Sequence, residues 1–362
     1  MIKKSSKIYL AGHKGLVGSA ILKNLKDRGY TNIICRTHSE LDLLDSSAVS
    51  RFFEEEKPEI VLLAAAYVGG IVANNVYRAD FIYKNLQIQN NVIGESFKNG
   101  VKKLLFLGST CIYPKEALQP MSEDALLTGP LEYTNEPYAI AKIAGLKMCE
   151  SFNIQYGTNF IAVMPTNLYG PNDNFDLEKS HVLPAIIRKV YLSKALMEGD
   201  WDTIRRDLNA KPIEKFNGLS NIEDITAILN KYGIANGCLT LWGTGTPMRE
   251  FLWSEEMADA CVFILEHVDF TDLAKDKKDV RNIHINIGTG EEISIRDLAF
   301  LIKETVGYKG AIKFDSSKPD GTMRKLTDVT KLNSLGWKYS IGVREGVKML
   351  YDWYLNNIEK ID

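Results

Sequence analysis

Short, fully apolar runs alternate with longer amphipathic ones over the first 165 residues. Lys7–Ala11, Ile33–Arg36, Ile60–Ala66, Leu104–Gly108 and Phe160–Met164 are apolar and partly β-branched, the pattern of strands buried on both faces. Val17–Asp27, Ser46–Glu56, Phe81–Asn99 and Pro137–Tyr156 lie between them and carry a helical repeat. Strand and helix in alternation predict a parallel sheet with right-handed crossovers, an α/β, doubly wound domain. The rhythm breaks after residue 170. A polar, mostly helical segment at 193–238 (helices at Trp201–Leu208 and Glu223–Tyr232) precedes strand-like runs at Leu239–Trp242, His284–Ile287 and Ala311–Phe314. Helices are expected at Ser254–His267, Ser294–Val306 and Val343–Asn357. The pattern predicts a first domain over 1–170, to which about 239–265 is a candidate to return. A smaller mixed α/β lobe over 171–362 would close over the ligand end of the sheet.

Composition narrows the function more than the fold. Lys+Arg 44 against Asp+Glu 46 gives a net charge of −2, so no global field draws the chain to nucleic acid or to an anionic membrane. Any anionic ligand must be met locally. Cys35, Cys111, Cys149, Cys238 and Cys261 are odd in number, with no CxxC pair, and suggest reduced thiols and neither a disulfide framework nor a metal site. The N-terminal Met-Ile-Lys-Lys has the charge of a secretory n-region, but the apolar run after it stops at Gly12. No stretch approaches a membrane span. The expectation is a soluble, cytoplasmic protein.

Three motifs carry chemistry. Gly12-His13-Lys14-Gly15-Leu16-Val17-Gly18 follows the first strand and opens the first helix. Glycines so spaced allow a tight turn and close approach of a pyrophosphate to the free N–H groups of the helix, the Rossmann-type dinucleotide site. Without a ligand the same run would be only a Gly-rich turn. Strand 2 ends in Cys35-Arg36-Thr-His38 rather than in the carboxylate that receives the ribose of NAD. Arg36, His38 and Lys14 therefore favour a 2′-phosphate, hence NADPH/NADP+, unless they are simply solvated charges. Strand 4 runs into Ser109, Thr110 and Cys111, at the sheet end where open α/β folds bind ligands. Tyr138 and Lys142 stand one helical turn apart on the next helix. A lysine there favours the phenolate and makes a tyrosine usable as a general acid. Taken alone, Tyr and Lys at this spacing commonly decorate a helix surface.

Together these motifs resemble those of the GDP-L-fucose synthases, within the extended short-chain dehydrogenase/reductase family. The matching segments include Ala11–Gly18, Gly69–Asn75, Leu105–Pro114, Asn135–Lys142, Met164–Pro171, Trp242–Phe251 and Ser317–Gly321. The resemblance implies epimerisation at C3 and C5 of a GDP-linked 4-keto-6-deoxy sugar, GDP-4-keto-6-deoxy-D-mannose, and then reduction of C4 by NADPH. It implies Cys111 as base, His181 as acid, Tyr138 as donor to the C4 alkoxide, Lys142 as its electrostatic partner and Ser109 as a further donor. It adds Leu107, Gly108, Pro165, Thr166, Asn167, Leu168 and His181 to the cofactor bed. Lys189, Trp242, Arg249 and Asp320 are implied for the substrate. It further implies a homodimer formed through the helices at 81–99 and 137–156. Each residue also has a plainer reading. Cys111 could be a small buried hydrophobe, His181 a helix cap, and Lys189 and Arg249 surface charges. Thr110 and His38 depart from the usual Ser and Arg, and the 193–238 segment is longer than in compact relatives. That segment keeps open a GDP-4-keto-6-deoxy-heptose as substrate, with epimerisation or reduction alone. A regulator that senses NADP(H) without catalysis would typically lack Tyr138 or Lys142.

Overall fold

The computed structural model describes residues 2–275 and 277–358. In chain order its elements begin β1 (Ile8–Ala11), α1 (Leu16–Asp27), β2 (Ile33–Ile34), α2 (Ser46–Glu56), β3 (Ile60–Leu63), α3 (Ile71–Val76) and α4 (Arg78–Lys98). Then come β4 (Lys103–Leu107), α5 (Glu136–Tyr156), β5 (Phe160–Pro165), β6 (Asn167–Tyr169), α6 (Val182–Glu198), α7 (Trp201–Ala210) and α8 (Ile222–Lys231). They continue with β7 (Ile234–Ala235), β8 (Cys238–Trp242), β9 (Met248–Arg249), β10 (Phe251–Trp253), α9 (Ser254–His267) and α10 (Phe270–Ala274). The last are β11 (Ile285–Ile287), β12 (Ile293–Ser294), α11 (Ile295–Val306), β13 (Ala311–Asp315), α12 (Thr330–Ser334) and α13 (Val343–Asn357).

Two compact units result. The first takes the chain up to Leu168, Leu252–Gly290 and Leu326–Ser340, and the second takes Tyr169–Phe251, Glu291–Lys325 and the chain from Ile341 on. The first unit is built on a six-stranded sheet in the order β11-β5-β4-β3-β1-β2, every pair parallel. Alternate residues of the same strands feed two separate cores. Ile8, Leu10, Leu62, Leu105 and Val163 pack on the α1/α9 side, while Tyr9, Val61, Leu63, Phe106 and Met164 pack on the α2/α4/α5 side. Continuous apolar runs are what this two-sided burial requires.

The structure corrects the sequence reading in three places. β2 keeps only the two residues that register with Ile8 and Tyr9, so Cys35 and Arg36 lie beyond the pairing. β3 ends at Leu63; the Ala64 amide still donates to the Ala11 carbonyl at 3.1 Å, and Ala65 beyond it closes on Gly12 of the glycine loop. Of segment 239–265, the candidate to return to the first domain, only the part from Leu252 does so. The first unit takes Leu252–Gly290 and Leu326–Ser340 out of the span 171–362. Helix α9 is buried almost all round (Met257, Ala260, Cys261, Ile264) and lies on α1, and β11 adds to the edge of the first sheet. Segment 239–251 stays in the second unit. Charge fixes the return of α9, since Arg28 pairs with Asp259 and, at 2.6 Å, with Glu266, which also accepts from Tyr30.

The second unit contains a three-stranded sheet, β13-β8-β7, with β8 parallel to β13 and antiparallel to β7. Helix α6 packs against α7, α11, β7 and β8. Among the described residues no helix is long and apolar enough to cross a membrane.

Candidate functional site

The glycine loop has the geometry of a phosphate cradle. Gly12 sits at φ +88°, and a Cβ there would lie 2.7 Å from the backbone nitrogen of Ala65. A Cβ on Gly18 would lie 2.0 Å from the Gly12 carbonyl, so both positions exclude any side chain. Gly15 is the N-cap of α1 and offers no side chain to its amides, which leaves that helix end to an anion. His13 and Leu16 are half-buried beside it, and Lys14 is exposed. These features fit a dinucleotide pyrophosphate.

The cations at the ribose end are less free than the sequence suggests. Arg36 donates to Glu56 at 2.6 Å and to its neighbour's carbonyl, with its guanidinium 5.6 Å from the Phe52 ring. His38 is 82% exposed on its side chain, 3.6 Å from Asp42. Glu56, twenty residues away, is the carboxylate that sequence reading missed.

At the end of β4 the chain turns through a short 3₁₀ helix, Thr110–Ile112, and Ser109 Oγ caps it by accepting the Cys111 amide at 3.3 Å. Gly108 is bound to the Val163 carbonyl, and Met164 fills the space where its Cβ would be. Thr110 and Cys111 are buried. The Pro165–Leu168 segment leaves β5 beside it, with the Thr166 amide on the Ile287 carbonyl at 3.0 Å. Helix α5 brings Tyr138 and Lys142 to this turn. Lys142 is only 3% exposed and donates to the Leu107 carbonyl at 2.8 Å, with its ammonium 5.7 Å from the centre of the Tyr138 ring. Phe81 meets the Tyr138 ring edge-on at 6.3 Å.

Burial, more than their mutual attraction, sets the protonation of this pair. It lowers Lys142 to about 8, with a Cys111 thiolate opposing the shift. Burial, helped by the same thiolate, raises Tyr138 above the ordinary phenol value. This corrects the expectation that Lys142 draws the tyrosine down. Tyr138 is thus a phenol at neutral pH, in the protonation state of a proton donor.

A polar network behind the turn was not legible from the sequence. Tyr113, two residues past Cys111, donates to the Asn286 side-chain carbonyl and meets His284 Nε2 at 3.0 Å. Asn286 donates in turn to the Met121 and Asp328 carbonyls, and its amide is held by Glu123. His284 is buried, and that burial pushes its pKa well below the usual range. A neutral imidazole donating from Nε2 to Tyr113 satisfies the chain of bonds in one direction. Tyr113 and the strand β11 so fix the backbone that carries Cys111.

The second unit presents the other expected residues. His181 is the N-cap residue of α6 but caps nothing with its ring, which is exposed. Surrounding protein still lowers its pKa by desolvation. Lys189, two turns along, is half-buried, and burial lowers it to about 8; its ammonium lies 5.9 Å from the centre of the Tyr232 ring. Trp242, at the end of β8, is 66% exposed, and Lys318 lies 5.7 Å from its ring. Arg249 donates to the Met248 carbonyl at 2.7 Å. Asp320 is occupied structurally, accepting from the Thr244 amide at 2.9 Å and its hydroxyl at 2.7 Å. It clamps the Gly243–Gly245 turn that follows Trp242.

Comparison with known proteins agrees with this arrangement. Residues 8–209 and 220–288 match the model of the NAD dependent epimerase/dehydratase family. The chain is 49% identical to GDP-L-fucose synthase 1 of Arabidopsis thaliana over 99% of its length and 96% of the relative's. Among solved structures, a GDP-6-OMe-4-keto-L-xylo-heptose reductase from Campylobacter jejuni is 47% identical, with TM-score 0.92 over 98% of this chain and 99% of its own. A GDP-mannoheptose C4 reductase from the same organism, solved with NADP bound, is 46% identical, with TM-score 0.88 over 98% and 100%. A sheet with a glycine cradle at β1, a hydroxyl and thiol turn at β4 and a Tyr/Lys helix beside it, together with these matches, places the chain in the NAD dependent epimerase/dehydratase family.

Proposed function

We propose that this chain is an NADPH-dependent 3,5-epimerase and 4-reductase that converts GDP-4-keto-6-deoxy-D-mannose to GDP-L-fucose. The observation that carries the reading is the shared site of Cys111, Tyr138 and Lys142, where a thiol stands within electrostatic reach of a reductase pair. The 4-keto group acidifies the protons on C3 and C5. Cys111 removes each as a thiolate favoured by the Lys142 cation, and His181 returns a proton to the opposite face. Ser109 holds the enolate oxygen meanwhile, a stabilisation of a few kcal/mol in a dry site. The cofactor, when bound in the Gly12–Gly18 cradle, supplies the hydride. Tyr138 then gives its phenolic proton to the C4 oxygen. Lys189, Arg249 and Trp242 bind the GDP portion, and Asp320 acts through the turn it clamps.

The second reading, C4 reduction of a GDP-linked 4-keto heptose, is favoured by the heptose enzymes among the solved relatives. Incubating each purified GDP-keto-sugar with NADPH in D2O separates the two. The proposal expects faster turnover of the mannose-derived sugar, with deuterium at C3 and C5. It expects the Cys111→Ala variant to lose that exchange while still oxidising NADPH with a pre-epimerised sugar. Full exchange in Cys111→Ala removes the thiol from the mechanism, and a strong preference for the heptose replaces the substrate.

A pH profile tests the two lysines that burial depresses, Lys142 and the half-buried Lys189. Both act as cations and both sit at about 8. Charge is present below that pH and lost above it, so kcat/KM is expected to fall with more than one proton as pH rises through about 8. The Lys189→Arg variant, whose guanidinium stays charged, should return the fall to a single proton. A flat profile up to pH of about 9.5 would remove the depressed lysines from catalysis.

The assembly is proposed to be a cytoplasmic homodimer. Tyr77, Tyr83, Ile140, Ile154 and Tyr156 leave apolar surface exposed on or beside α4 and α5, and such a surface commonly marks an interface. A monomer mass in light scattering would overturn the pairing.

A further inference from the structure

The polar segment between α6 and β8 is the part of the chain that the proposed reaction leaves without a task. The family model passes over residues 210–219 within it. It is nonetheless firmly built. Asp200 caps α7 and Asn221 caps α8. Arg205 donates to the carbonyls of Gly218 and Ser220, and Gly218 has no room for a Cβ beside the Arg205 carbonyl. Ile204, Leu208, Ile225, Ile228, Leu229 and Ile234 are buried.

This segment grips α6 from two directions. On one, Arg188 lies fully buried with Asp207 of α7, donating at 3.0 and 2.8 Å, and also binds the Phe175 and Lys211 carbonyls. Asp207 accepts from Tyr354 of α13 as well. On the other, the ring of Tyr232, just past α8, has its centre 5.9 Å from the ammonium of Lys189, the residue next to Arg188, and 6.0 Å from that of Lys231. Consecutive residues point about 100° apart around a helix, so one brace holds two faces of α6. The Tyr232 hydroxyl is held by Glu214 at 3.1 Å. Strand β7 then pairs with β8, which ends at Trp242.

We infer that segment 199–237 is a brace for the nucleotide half of the site, in which Tyr232 is a positioning residue that holds the Lys189 ammonium, partly stripped of water, for a diphosphate. The inference rests on the proposed role of Lys189. A long flexible cation held against an aromatic face loses less rotamer freedom when an anion arrives, and it is less hydrated beforehand.

GDP alone is the probe, with affinity measured by calorimetry on the full chain, and NADPH affinity as the reference for folding. The Tyr232→Ala variant should bind GDP about tenfold more weakly, the size of one aromatic–cation contact plus one freed side chain. Tyr232→Phe, which keeps the ring, should stay within about twofold, and NADPH affinity should not move in either. Tyr232→Leu fills the space without a π-face and should reproduce the loss. In a Lys189→Met background the tyrosine substitution should add nothing. Wild-type GDP affinity in Tyr232→Ala or Tyr232→Leu, or an undiminished effect in the Lys189→Met background, overturns the brace. A wild-type protein that does not bind GDP at all overturns the proposed function, and the inference with it.

Discussion

Replacing Tyr138 by phenylalanine is expected to lower NADPH oxidation by about two to four orders of magnitude, the contribution of a positioned general acid. The phenol is raised by burial and by the neighbouring thiolate, so at neutral pH it holds the proton that the C4 alkoxide needs. The lost oxygen leaves the ring's packing intact. Phe81 meets that ring edge-on, and the alanines Ala139 and Ala141 beside it on α5 are buried, so folding should change little. Proton exchange at C3 and C5 depends on Cys111 and His181 in the proposed scheme. It should therefore persist in the Tyr138→Phe variant when followed by mass spectrometry in D2O, separating the reductive step from the epimerising one. KM for the sugar should move much less than kcat, because the bond to Tyr138 matures as charge develops on the oxygen. Unchanged NADPH oxidation would sink the role given to Tyr138, and joint loss of exchange and reduction would mean that the phenol serves both steps.

Much of the first unit was legible because its elements announce themselves locally. Helices Ser46–Glu56, Ser254–His267 and Val343–Asn357 have the bounds that their patterns predict, the first stopped at its N-terminus by the Asp45 cap. Strands buried on both faces leave unbroken apolar runs, which no surface element imitates at that length. The glycine loop was legible for the same reason: its spacing and the Gly18–Gly12 close approach lie within seven residues, although Gly12 is also confined by Ala65 from across the sheet. What the sequence hid depends on pairings across the chain. Glu56 holds Arg36 only because α2 ends beside the short edge strand. Tyr113 and Asn286 are 173 residues apart, and neither residue type at its position suggests a partner. The direction of the Tyr138 shift was misjudged because spacing along a helix gives proximity and says nothing of desolvation. Here desolvation outweighs the attraction.

Substituting Asp207 by alanine is expected to lower the free energy of unfolding by about 3–5 kcal/mol, since it strands a buried guanidinium. Arg188 and Asp207 have no exposed side-chain surface, so water cannot replace the lost carboxylate. The Tyr354 hydroxyl would lose its acceptor in the same step, in a cluster where Phe175 and Tyr191 already enclose its ring at 4.5 and 5.5 Å. The two remaining bonds of Arg188, to the Phe175 and Lys211 carbonyls, satisfy donors but leave the charge unpaired. Denaturant unfolding of the full chain measures the loss. A second variant distinguishes a stranded charge from lost packing: Arg188→Met with Asp207→Leu removes both charges and keeps much of the volume. Breaking one partner of a buried pair leaves an uncompensated ion, whereas removing both can be close to neutral. The double variant should therefore recover most of the stability that Asp207→Ala loses. If it is as unstable as the single variant, the contribution of this cluster lies in shape and hydrogen bonding, and the ion pair adds little. If Asp207→Ala unfolds like the wild type, α6 is held by its apolar contacts alone, and α7 is no more than a surface elaboration.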